Sequence, residues 1–179
     1  MTRARLLAAT ATAATAVIVL GTGVGPVAGQ EPTTATITVT GGALIITVPA
    51  DAGALGTRAN TVEGGTISGP LGQVQVDDAR SAAAGSGWVA SVISTAFTPP
   101  SGPAIAASAV SYGAGVITKV GTATYTANDP VDLTGVGAAV TASGITGDNS
   151  ATWNPTITVA VPGGMAANVY SATITHSVL

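Results

Sequence analysis

Beyond about residue 30 no stretch of the chain keeps a helical period, and apolar residues recur instead at every second position. In "NVYSATITHSVL", residues 168–179, Tyr170, Ala172, Ile174, His176 and Val178 fall on one face of an extended chain. Val169, Ser171, Thr173, Thr175 and Ser177 fall on the other. "GWVASVIST" does the same, with Trp88, Ala90, Val92 and Ser94 together. Strands are expected also at Ile37 and Val39, at Leu44, Ile46 and Val48, and at Val74 and Val76. Others are expected at Val116 to Val120, around Tyr125, at Val136 to Ala142, and along Trp153, Pro155, Ile157, Val159 and Val161. Between them "GGTISGP", "SAAAGSG", "TPPSGP", "ANDP", "GDNS" and "VPGG" read as turns and loops. The pattern predicts an all-β fold, a single antiparallel β-sandwich of Ig-like or Greek-key type.

The first residues follow a different rule. Arg3 and Arg5 precede an uncharged apolar run at residues 6–20, and Val27, Ala28 and Gly29 are small residues suited to cleavage. The run of 15 residues is shorter than the about 20 needed to span a bilayer. Residues 1–29 are therefore expected to be a signal peptide and residues 30–179 one exported domain, with no transmembrane anchor after cleavage.

That domain holds Arg58, Arg80 and Lys119 against eight carboxylates. No basic stripe exists, so a nucleic-acid partner is not expected, since phosphate neutralisation needs clustered cations. The absence of cysteine removes thiol catalysis, disulfides and thiolate metal sites. With two tryptophans, three tyrosines and one phenylalanine, the core must be filled mostly by Val, Ile, Leu and Ala. Trp88 and Trp153 are then its largest volumes.

Few residues can carry chemistry. His176 is the sole histidine and lies mid-strand on the apolar face, and no G-x-S-x-G elbow accompanies it. Asp77 and Asp78 are adjacent and must point to opposite faces, so they cannot flank one bond as an acid–base pair. Asp78 and Arg80 share a face and are expected to pair. Asn128, Asp129, Asp132, Asp148 and Asn149 could offer oxygen ligands to calcium, but they match no calcium-loop spacing and suit side-chain capping of turns. No catalytic, cofactor or metal residue is assigned, and no cofactor is expected. Trp88, Tyr112, Tyr125, Trp153 and Tyr170 could stack on sugars or fill the core.

Two stretches together resemble a known family. "GWVASV" and, far downstream, "YSATITHSV" are similar to the proximal and distal motifs of the WxL-domain surface proteins of Gram-positive bacteria, in a divergent, actinobacterial-type form. Trp88 matches the proximal tryptophan, and Ala90 stands for its leucine. In the distal motif Tyr170, Ile174, Thr175 and Val178 match the tyrosine, leucine, threonine and final leucine, and His176 stands where a tryptophan belongs. The resemblance implies a non-catalytic, secreted domain that associates non-covalently with cell-wall peptidoglycan. These seven positions would serve packing or wall contact, and other surface proteins are possible partners. The alternative is a structural or assembly subunit joined to other surface proteins through strand edges.

Overall fold

The structure is a computed structural model that describes residues 36–179; the expected leader lies outside the described residues. The fold is all-β. Its strands are β1 (Leu44–Thr47), β2 (Gly65–Pro70), β3 (Val74–Ser94), β4 (Val110–Gly113), β5 (Thr118–Ala127), β6 (Gly137–Trp153), β7 (Thr156–Val161) and β8 (Ile174–Val178). A three-residue 3-10 turn at Ala107–Ala109 precedes β4. One compact unit spans Val39–Leu179.

The strands form two antiparallel sheets, an arrangement consistent with a sandwich. The larger runs β1-β3-β6-β5, with β8 also paired to β3; the smaller runs β2-β7-β4. The 21-residue β3 is the central member. It lies along β6 on one side, and on the other meets β1 with its first half and β8 with its second.

Alternation decides what each strand buries. Val74, Val76 and Asp78, then Trp88, Ala90, Val92 and Ser94, face inward from β3. Ile157 and Val159 of β7 and Val110 and Tyr112 of β4 face them from the smaller sheet. Trp153 ends β6, and the chain then passes through Asn154 and Pro155 into β7 of the other sheet. Pro155 has no N–H to leave unpaired at this crossing, while its carbonyl accepts the Leu71 N–H at 2.8 Å. Trp153, Pro155, Ile157 and Val159 therefore all stay buried although they belong to two sheets.

Three departures from the sequence expectation have one cause: glycine and serine inside strands look like turns. "GGTISGP" contributes β2, and "SAAAGSG" and "GDNS" run within β3 and β6. There the ladder shifts register, Ala82 opposing Gly147 and Ser86 opposing Ile145, so that extra β3 residues bulge outward. Gly144 and Gly147 accept left-handed backbone at φ 66° and 71°, which a side chain would strain. A fourth departure is at the start. Residues 36–43 lie in no strand despite their alternation, and Ile37 and Val39 are 91% and 84% exposed.

The outer surfaces are rich in hydroxyls. Thr47, Gln75, Thr152 and Thr118 make one row across the larger sheet, and Ser177 lies opposite Ser91. On the smaller sheet Ser68 Oγ and Thr158 Oγ1 are 2.9 Å apart. The edges differ in protection. The free side of β4 is covered where the Tyr112 N–H donates to the Pro130 carbonyl at 2.9 Å. By contrast, β5 makes backbone hydrogen bonds only toward β6 among the described residues.

Candidate functional site

The two segments that carry the family resemblance are neighbours in space. Strand β8 pairs with the second half of β3, placing Val178 opposite Ala90, His176 opposite Val92 and Ile174 opposite Ser94. Trp88 and Ala90 are buried, whereas Ile174, His176 and Val178 are half-buried on the same inner face. Thr175 points outward. Tyr170 lies before β8, half-buried, and its hydroxyl donates to the Ala166 carbonyl at 2.9 Å. Six of the seven positions thus face the interior, wholly or in part, and only Thr175 presents its side chain fully to solvent.

Beneath the bulged part of the large sheet lies a polar cluster. Asp78 is 1% exposed and sits opposite Asn149 across the β3–β6 ladder. Arg80 grips its carboxylate as a fork, Nε donating to Oδ1 at 2.8 Å and Nη2 to Oδ2 at 2.9 Å. The Arg80 backbone N–H adds a third donor at 3.2 Å, and Asn149 Nδ2 a fourth at 3.2 Å. The amide oxygen of Asn149 then accepts from Trp88 Nε1 at 3.1 Å and from the Tyr125 hydroxyl at 2.9 Å. The indole and phenol rings lie tilted with centres 5.6 Å apart. The Arg80 guanidinium, above all, holds the Asp78 carboxyl below the usual carboxylate range, against the opposing effect of burial. Asp78 is thereby kept ionised and saturated with donors, which suits a clamp and not a proton shuttle.

The expected Asp78–Arg80 pair is present. Asn149 was the unforeseen member, because its "GDNS" setting reads as a turn. A signal for it exists: a tryptophan buried in an apolar strand needs an acceptor for its N–H, and amide side chains are scarce in this chain.

A second relay crosses between the sheets. Trp153 Nε1 donates to the Tyr112 hydroxyl at 2.7 Å, and that oxygen lies 3.3 Å from His176 Nε2. Because indole only donates, the phenol accepts from Trp153, and its own O–H can donate to His176 Nε2 in the tautomer that carries the imidazole proton on Nδ1. Burial pushes the Tyr112 hydroxyl up and the His176 imidazole down to about 4. The imidazole is occupied by a phenol that resists ionisation, so the geometry supplies no activated nucleophile.

This relay has a consequence in acid. The folded-state value for His176 lies below its ordinary 6.5, so between about pH 6.5 and 4 the unfolded chain binds the extra proton. Stability should fall as pH drops through that window. His176→Gln, which retains an acceptor, should flatten the dependence. Urea midpoints of the two proteins at pH 7 and pH 4.5 check this; equal slopes contradict it.

Of the other carboxylates, Asp77 accepts from the Gln75 side-chain amide at 2.8–2.9 Å, and three more serve the backbone. Asp129 accepts the Ala114 N–H at 2.8 Å, Asp132 the Thr134 N–H at 2.7 Å and Asp148 the Ser81 N–H at 2.9 Å. No group of three or more metal-ligating side chains occurs among the described residues. The concavities are shallow. One of about 260 Å³ is lined by Thr95, Ala96, Thr98, Ser171, Ala172 and Thr173, and one of about 270 Å³ lies by Asp77, Val120 and Asp148. Trp88, Trp153 and Tyr112 are buried, and Tyr125 and Tyr170 half-buried, so none of the five rings lies fully open for stacking. No helix among the described residues is long and apolar enough to cross a membrane. Comparison with known protein families, curated proteins and solved structures yields no significant match.

Proposed function

We propose that the chain is a secreted, non-catalytic surface protein that associates non-covalently with the Gram-positive cell wall, with peptidoglycan as its ligand. The observation that carries this reading is the pairing of the two motif segments on β3 and β8. The pairing puts the positions of both motifs on one stretch of the larger sheet, where they can act together. The inward placement of the tryptophan- and leucine-equivalent positions assigns them to packing. Contact with the wall then falls to outward neighbours on the same strands, Thr175 and Ser177 with Ser91 beside them.

Neutral hydroxyls can exchange hydrogen bonds with the sugar hydroxyls and peptide amides of the wall without ion pairing. Such binding should resist salt, because screening acts only on charge. Purified peptidoglycan should therefore sediment the protein equally well at 0.15 M and 1 M NaCl. Equal recovery with and without wall material would remove the proposal. The same reading expects the protein in the wall or medium fraction of the producing cells.

A second reading, an assembly subunit joined through strand edges, is favoured by a separate observation. Strand β5 has ten residues and a free edge, and a chain segment with strand-like alternation lies unpaired before β1. Sedimentation velocity over a range of concentrations tests it; a single monomeric species throughout contradicts it.

A further inference from the structure

We infer that residues 36–40 of one copy add as a strand to the free edge of β5 in a second copy, giving head-to-tail assembly. This deepens the assembly reading above and rests on it. The segment reads Thr36-Ile37-Thr38-Val39-Thr40. Its β-branched residues favour extended backbone, and its period of two would give one apolar and one hydroxyl face. Yet it occupies no strand, and its two large apolar side chains stand in water.

The acceptor is picked out by its pattern. After the glycine at position 121, with φ 94°, β5 continues Thr122-Ala123-Thr124-Tyr125-Thr126. Set beside the donor, threonine meets threonine on the outer face, and Ile37 and Val39 meet Ala123 and Tyr125 on the inner face. Ala123 and Tyr125 are half-buried, pack on the core and have no neighbour strand beyond them. Cross-strand pairs of these kinds are favourable. The outer edge of β4 in the smaller sheet is instead covered, by Pro130. The one charge of β5 is Lys119, placed before the glycine; its ammonium turns over the Tyr125 ring at 5.7 Å and donates to the Ala123 carbonyl at 3.0 Å, a contact that an incoming strand would have to accommodate or displace. The five residues after the glycine are themselves uncharged.

Residues 36–40 cannot reach the β5 of their own chain. Ala43 is fixed to β3 by the Ala79 N–H at 3.0 Å, and β1 and β5 are at opposite ends of the sheet order. A strand beyond β5 would stand four spacings from β1, about 19 Å. The three steps from Ala43 back to Thr40 reach at most about 11 Å. The donor must therefore enter another molecule, and since donor and acceptor are different surfaces the contact is heterologous, giving a ring or an open chain as its rotation dictates.

The test uses the full chain. Sedimentation velocity should show species growing with concentration, and Ile37→Asp/Val39→Asp should leave monomer with an unchanged melting temperature. The chain has no cysteine of its own, so Thr38→Cys/Thr124→Cys gives a clean crosslinking readout. Oxidation should give a ladder of dimers, trimers and longer chains, with neither single-cysteine variant dimerising. Wild-type monomer at every concentration would defeat both this inference and the assembly reading. Oligomers that survive the double aspartate variant, or a double-cysteine product without a ladder, would defeat the strand assignment alone.

Discussion

Trp88→Ala should lower the stability of the fold by about 4 kcal/mol, more than replacement of any one carboxylate. The ring is buried against Tyr125, and its N–H is one of two donors to the Asn149 amide oxygen. Truncation empties a large volume in a core that has few rings to repack into it. Trp88→Phe separates the two contributions, since it keeps most of the volume and loses the N–H. Its cost should be about 1–2 kcal/mol, because Tyr125 still serves the amide. Urea denaturation of both variants checks the ranking, and similar midpoints for Ala and Phe would show that volume at this site matters little.

Arg80→Met should cost about 2–3 kcal/mol at pH 7, at the low end for a broken buried pair because Arg80 is itself 38% exposed. Without the fork, a buried carboxylate keeps only the donors from Asn149 and its own strand. The deficit should shrink in acid. In the wild type the folded-state value of Asp78 is lowered, so its contribution is complete above the ordinary carboxylate value and lost as pH falls through the lowered one. In the variant only those two donors oppose burial, the carboxyl protonates at higher pH, and the two stability curves converge. Asp78→Asn/Arg80→Met should be less damaged at neutral pH than Arg80→Met alone. A deficit that stays constant from pH 7 to pH 3 would mean that lost packing of the arginine stem, and not the stranded charge, is responsible.

Period-two patterning made much of this fold readable in advance. The faces of β8 and of the second half of β3 fall where the alternation of Trp88, Ala90, Val92, Ile174, His176 and Val178 puts them, and Asp78 finds Arg80 two residues away. The bulges were not readable, because Ala83, Ala84 and Gly85, like Gly144 and Gly147, carry the same composition in a bulged strand as in a turn. Only the partner strand distinguishes them. The opposite error arose at Ile37 and Val39, whose alternation is a strand signal with no strand in this chain to receive it. The polar cluster was half legible. A local pair separated by two residues can be read from sequence, whereas the meeting of Asp78 with Asn149 depends on a register that shifts between Asp78 and Ala82.

The central place of β3 bears on how fast the molecule can form. Its ladder to β6 joins positions as distant as Val74 and Trp153, and its partner β8 lies farther along still. Among the strand ladders of the described residues, only the β5–β6 hairpin, closing at Ala127 and Val140, joins residues near in sequence, apart from the single bridge of Phe97 to Ile105. Large loops must be closed before most native contacts contribute, which places refolding in the millisecond-to-second range typical of such topologies. Truncations inside that hairpin should slow refolding, while truncations in β8 should mainly hasten unfolding.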